Sequence, residues 1–180
     1  LEQTPALRRF VAKALGSSFA GKTPWHFIGA FYTSVLFISR FISPTILFII
    51  VFPIYEEMMA LLGFKKGDRE ASILLIVLFS TIAIGTAMTP INHVFSVTAM
   101  ALYKTSTGIA ISNAQYMMIG IPAGLVLFIA MGVVLRTIWR VDLSQVEMKQ
   151  MTSLENLPPK HRREKATVLI FMSVVLLWVL

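Results

Sequence analysis

The sequence predicts an all-α membrane protein in which a re-entrant helical hairpin is followed by a broken transmembrane helix. Three observations lead there. Hydrophobic residues make up 56% of the 180-residue chain and charged residues 14%, with a mean hydropathy of +0.75, which leaves too little polar surface for a soluble domain. The apolar regions are long on the scale of the about 20 residues that cross a bilayer. Two of them carry glycine, proline and hydroxyl residues at their centres, where a spanning helix is ordinarily apolar. The net charge of +7 is read loop by loop, because cytoplasmic loops retain Lys and Arg. With no cysteine in the chain, disulfides and thiolate metal sites are excluded.

Residues 1–22 are basic, with Arg8, Arg9, Lys13 and Lys22 against Glu2. Leu7, Phe10, Val11 and Leu15 fall at helical spacing, so the segment is expected to be a cytoplasmic helix lying at the interface. The plainer alternative is a solvated connector.

Residues 23–63 form the expected hairpin. Thr23 and Pro24 suit a helix start and Trp25 suits an interface. Pro44 divides the region into arms of about 17 residues, each about 25 Å long at helical rise. The tip is 39–45, Ser-Arg-Phe-Ile-Ser-Pro-Thr. Lys65, Lys66 and Arg69 follow the second arm, so both flanks are basic and both are expected in the cytoplasm. Two full crossings would satisfy the charge rule equally; the short arms and polar tip favour re-entry.

Residues 70–103 are too long for one straight crossing of about 30 Å. Their centre reads Ile-Ala-Ile-Gly-Thr-Ala-Met-Thr-Pro-Ile-Asn-His. Gly85, Pro90 and the polar cluster of Thr86, Thr89, Asn92 and His93 mark a break between half-helices 71–83 and 92–103. Residues 104–114 read as an outer loop and 115–139 as a full span, with Pro122 in its tolerant first turns. Residues 140–165 read as a basic cytoplasmic linker and 166–180 as the start of another span. Because that span is cut short and the chain starts at Leu1, the sequence is expected to be a piece of a longer, transporter-sized protein.

A broken membrane helix leaves backbone groups unpaired at depth, which is costly unless they bind something. Half-helix N-termini favour anions, and unwound carbonyls hold cations. A hairpin tip beside a broken helix is what one half of an inverted-repeat secondary transporter supplies. Paired catalytic carboxylates, nucleophile elbows and phosphate loops are absent from the sequence, so nothing nominates an enzyme.

The patterns Ser-x-x-x-Ser-Pro-Thr (39–45) and Gly-x-x-x-Thr-Pro-x-Asn (85–92), with the tail Arg-Arg-Glu-Lys-Ala-Thr-Val-Leu-Ile-Phe, resemble the divalent anion/sodium symporters, the carriers of dicarboxylates, citrate and sulfate. The resemblance covers nearly the whole chain, about half of a family member. It implies a substrate site at Ser43, Pro44, Thr45, Thr89 and Asn92, and a sodium site at Ser39, Ser43, Gly85 and Thr86. It also implies an inverted second repeat, a homodimer, elevator motion, and a bacterial-type inner membrane. The partners expected are a small anion and the lipid bilayer, with no nucleic acid; sodium is the one cofactor considered.

The departure is Pro44, where the family has asparagine. Proline offers neither a side-chain oxygen for sodium nor an amide or N–H for an anion. Arg40 lies about 100° around the helix from Ser39 and Ser43, and an intramembrane charge is a functional candidate by default. It is a candidate charge substitute, taking over part of a sodium ion's work or pairing with the substrate; the alternative is that it pairs with a carboxylate elsewhere or reaches polar surroundings. His93 is a weaker candidate for proton exchange, with helix packing the ordinary reading. Glu56 and Glu57 read as structural partners for the basic flank. The function expected is cation-coupled, elevator-type transport of di- or tricarboxylates or sulfate. The alternatives are a proton-coupled or uncoupled oxyanion carrier and a membrane assembly subunit that does not transport.

Overall fold

The computed structural model describes residues 23–91 and 93–143. The expected interfacial helix 1–22, Asn92 and most of the region from 140 onward therefore lie outside the described residues. Within them the fold is all-helical, with five helices and no strand: α1 Pro24–Ser39, α2 Pro44–Leu61, α3 Arg69–Ala87, α4 Val94–Thr107 and α5 Asn113–Thr137.

The helix boundaries have local causes. Thr23 accepts a hydrogen bond from the His26 backbone N–H at 3.2 Å, and Pro24 occupies the first turn, where its missing N–H costs nothing. The four residues Arg40–Ser43 turn the chain, and Pro44 starts α2 in the same way. Gly63, at φ 77°, ends α2 in the left-handed region, with its N–H on the Ala60 carbonyl at 3.1 Å. Asp68 precedes α3 and accepts the Lys65 N–H at 2.7 Å. Ser112 and Gln115 close a reciprocal capping box at the start of α5.

Cross-helix contacts give the directions of packing. On α1, the Tyr32 hydroxyl donates to the Leu74 carbonyl at 2.6 Å, and Ser39 lies against Gly85. Both sequences rise together, so α1 runs parallel to α3. On α2, the Tyr55 hydroxyl donates to the Ala71 carbonyl at 2.5 Å, and Phe48 stacks on Phe79 with ring centroids 4.3 Å apart. There the numbering runs in opposite senses, so α2 is antiparallel to α3 and to α1. These two helices form a hairpin laid along α3. Helix α5 is antiparallel to α3: Gly120 and Gly124 receive Met88, and Arg69 donates to the Trp139 carbonyl at 2.8 Å. The same end holds Arg136 over the Trp25 ring at 5.7 Å.

The core is packed from Phe27, Phe31 and Val35 of α1, Leu47 and Val51 of α2, and Leu74 and Leu78 of α3, all buried. Ridge-to-groove packing of such side chains holds helices at close distance. Much of α4 and α5 faces outward, with Val94, Phe95, Met118, Ile119 and Val126 exposed. Helices α3 and α5 are long and apolar enough to cross a membrane. Replacing Tyr32 by phenylalanine removes a buried cross-helix bond and is expected to cost about 1 kcal/mol, read as a lower thermal unfolding midpoint with helicity intact.

Two expectations about boundaries are corrected. Lys104–Thr107, expected in the outer loop, continue α4. Thr105 and Thr107 return their hydroxyls to carbonyls four residues back, at 2.9 and 2.7 Å, and the turn ends only at Gly108 with φ 75°. The first half-helix runs on to Ala87 rather than stopping at 83; Thr86, whose hydroxyl bonds back to the Ile82 carbonyl, is accommodated inside it, and Pro90 is the residue that ends the ladder.

Candidate functional site

The turn of the hairpin and the interruption between α3 and α4 lie against one another. Helix α3 stops because Pro90 offers no N–H to continue the ladder; Met88 closes the last turn on the Gly85 carbonyl at 3.2 Å. The chain resumes as a helix at Val94, after His93 in an extended conformation. Where it leaves α3, the Thr89 hydroxyl donates to the Arg40 carbonyl at 2.7 Å. That carbonyl is one of the C-terminal acceptors of α1 that the helix itself does not satisfy. One turn away, α1 and α3 touch almost backbone to backbone. A Cβ added at Gly85 would lie 1.7 Å from Ser39 Oγ and 2.9 Å from the Leu36 carbonyl oxygen. Ser39 is 0% exposed and donates to that same carbonyl at 2.9 Å.

The residues singled out in the sequence are therefore distributed unevenly. Ser39, Arg40, Gly85 and Thr89 are brought into direct contact across the two elements, and Thr86 is buried on the same last turn of α3. Ser43 is half-buried, and its side chain makes no capping bond to α2 although it precedes the helix. Pro44 is half-buried, and Thr45 is exposed. Asn92 lies outside the described residues. The hydroxyls of Ser39, Thr86 and Thr89 all donate to backbone carbonyls, so Thr86 and Thr89 have oxygen lone pairs rather than protons to offer a ligand.

Two participants were not anticipated. Met88, 0% exposed, seats its backbone and side chain in a notch on α5. A Cβ at Gly120 would lie 2.8 Å from the Met88 carbonyl oxygen, and one at Gly124 would lie 2.4 Å from Met88 Cγ. The spacing Gly-x-x-x-Gly was the available signal. Tyr116 spans the interruption: its hydroxyl reaches the Ala87 carbonyl and Ser96 Oγ, both at 3.0 Å. No sequence pattern marks that role. The notch also fixes position along α5. It is about 20 Å from the Thr137 end and about 10 Å from the Asn113 end at helical rise, in the half of the helix nearer Asn113.

The electrostatics are one-sided. Arg40 Nε and His93 Nδ1 are the buried side-chain polar atoms without a hydrogen-bond partner among the described residues. The Arg40 guanidinium lies 5.8 Å from the Phe37 ring centroid, an attractive arrangement that neutralises no charge. The carboxylates of the described residues are Glu56, Glu57, Asp68, Glu70 and Asp142, none of them in the turn or the interruption. Glu56, the nearest of them in sequence to the turn, is about 18 Å along α2 from Pro44 at helical rise. Among the described residues no cluster of three or more His, Cys, Asp or Glu could hold a metal ion. A site built from hydroxyls and carbonyls is a different kind of cation site. A groove of about 670 Å³ between α1, α3 and α5 is lined by residues between Trp25 and Ser34, by Val77 and by residues between Phe128 and Arg136. It includes none of the residues of the turn or the interruption.

No family model, curated protein or solved structure matches the chain.

Proposed function

We propose that the chain is one half of a secondary active transporter of small anions, di- or tricarboxylates or sulfate, driven by a cation gradient and moving as an elevator. In this reading α1 and α2 form a re-entrant hairpin, and α3 and α4 form a broken membrane helix. The observation that carries the proposal is the bond from Thr89 to the Arg40 carbonyl. It joins the hairpin turn to the helix interruption, and both elements hold polar groups in an otherwise apolar chain. A helix interrupted within protein, lined by hydroxyls and packed against a turn whose arginine has no carboxylate partner among the described residues, is suited to a polar or anionic cargo. Close packing of hairpin and α3 supports motion as one body. The resemblance to the divalent anion/sodium symporters supports the same substrate class.

Uptake of labelled succinate, citrate and sulfate by the full-length protein in proteoliposomes tests the proposal. Accumulation of at least one of these anions under an imposed sodium or proton gradient is the expected result. A protein that inserts and folds but takes up none of the three under either gradient would refute it.

A further inference from the structure

We infer that Arg40 is the resident cation of the site: its guanidinium, with His93 as a second nitrogen, holds a dianion in place of sodium, so that anion binding needs no sodium ion. The inference rests on the anion-transport reading above and adds the source of positive charge. Arg40 Nε is buried and has no partner among the described residues. Arg40 as a whole is only partly buried, but a charge held beside an apolar turn is costly, and proteins relieve such a cost with an opposite charge. The described carboxylates are all remote from the turn, so the protein half described here supplies none. An anionic ligand would supply both the charge and the acceptor.

The second nitrogen belongs to the same region. His93 Nδ1 is likewise buried and unpartnered. His93 follows Thr89 by four residues, so the chain between them spans at most about 14 Å, and Thr89 is bonded to Arg40 itself. That keeps His93 in the stretch of chain that meets the hairpin turn, where it can serve as a second contact for the far end of a dicarboxylate. Arginine suits the first role because its planar fork matches a carboxylate or sulfate edge. The sequence agrees from the opposite side. Pro44 removes a side-chain oxygen and an N–H from the turn, which weakens a sodium site at the place where a fixed positive charge makes sodium redundant.

The test is equilibrium binding of succinate and of sulfate to the purified full-length protein, titrated with sodium chloride against choline chloride. The wild-type protein is expected to bind at least one anion with an affinity that changes less than threefold across the sodium series. Arg40→Gln is expected to weaken binding by about tenfold to a hundredfold, the scale of a lost charge-assisted bond. Arg40→Lys should recover part of that loss, because it keeps the charge and gives up the fork. His93→Gln should weaken succinate binding more than sulfate binding. Anion binding by the wild-type protein that rises steeply with sodium would overturn the inference and leave the transport reading standing. So would an Arg40→Gln protein with unchanged affinity. If Arg40→Gln does not fold, the wild-type sodium series decides alone. A folded wild-type protein that binds neither anion at any sodium concentration would overturn this inference together with the anion reading.

Discussion

Gly85→Ala is expected to lose about 3 kcal/mol or more of stability, at or above the upper end of ordinary overpacking. The added carbon would sit 1.7 Å from Ser39 Oγ, which is a side-chain atom, but also 2.9 Å from the Leu36 carbonyl oxygen, which is backbone. The first can be removed; the second moves only if α1 moves. Thermal unfolding in detergent should show the loss, and the yield of monodisperse protein should fall with it. Combining Gly85→Ala with Ser39→Gly removes the side-chain clash alone and should restore a part of the stability, against about 1 kcal/mol for a glycine inside a helix. Gly29→Ala is the control. Nothing lies within 4 Å of a carbon added there, so it should be neutral or stabilising by up to about 1 kcal/mol. Equal behaviour of the two alanine variants would mean that α1 and α3 do not meet at Ser39 and Gly85.

Thr89→Val should have the larger effect on activity. Valine is close in shape, and Thr89 is 2% exposed, so packing is retained while one hydrogen bond is lost. The Arg40 carbonyl then lacks the donor that joins it to the start of the interruption. An acceptor stranded in this way costs about 1–3 kcal/mol. If the hairpin turn and the interruption enclose the anion together, the initial rate of uptake should fall by tenfold or more, and Thr89→Ser should recover most of it by restoring the hydroxyl. Uptake by Thr89→Val at the wild-type rate would separate the bond from transport.

The existence of the helices was legible in the sequence for identifiable reasons. Proline after a hydroxyl residue at Thr23–Pro24 and Ser43–Pro44 marks helix starts, and both helices begin at the proline. The pair Thr89–Pro90 marks a stop, and α3 ends just before it. The end of α4 was misjudged because Thr105, Ser106 and Thr107 look like a solvated loop, whereas their hydroxyls bond back to carbonyls of the helix.

The candidate site was legible only in part. Ser39, Arg40, Gly85 and Thr89 stood out because polar or small residues are conspicuous in an apolar run, and these four meet. Thr45 stood out for the same reason; it is exposed and touches neither α3 nor the interruption by any hydrogen bond among the described residues. Residue type does not say which side of a turn a side chain occupies. Met88 and Tyr116 were missed because methionine and tyrosine are ordinary in such helices. Their roles depend on what lies opposite: a surface without side chains at Gly120 and Gly124, and the Ala87 carbonyl at the end of α3, which accepts the Tyr116 hydroxyl.

The tyrosines have one more consequence. Tyr32 holds α3 from one arm of the hairpin at Leu74, and Tyr55 holds it from the other arm at Ala71. These are neighbouring turns of α3, gripped from two sides and far from Thr89. Together they act as keys in a shaft: α3 cannot rotate about its own axis without shearing bonds to both arms. The same end of the hairpin also has Arg69 bonded to the Trp139 carbonyl of the chain after α5, so a turn of α3 would strain contacts to three neighbouring segments at once.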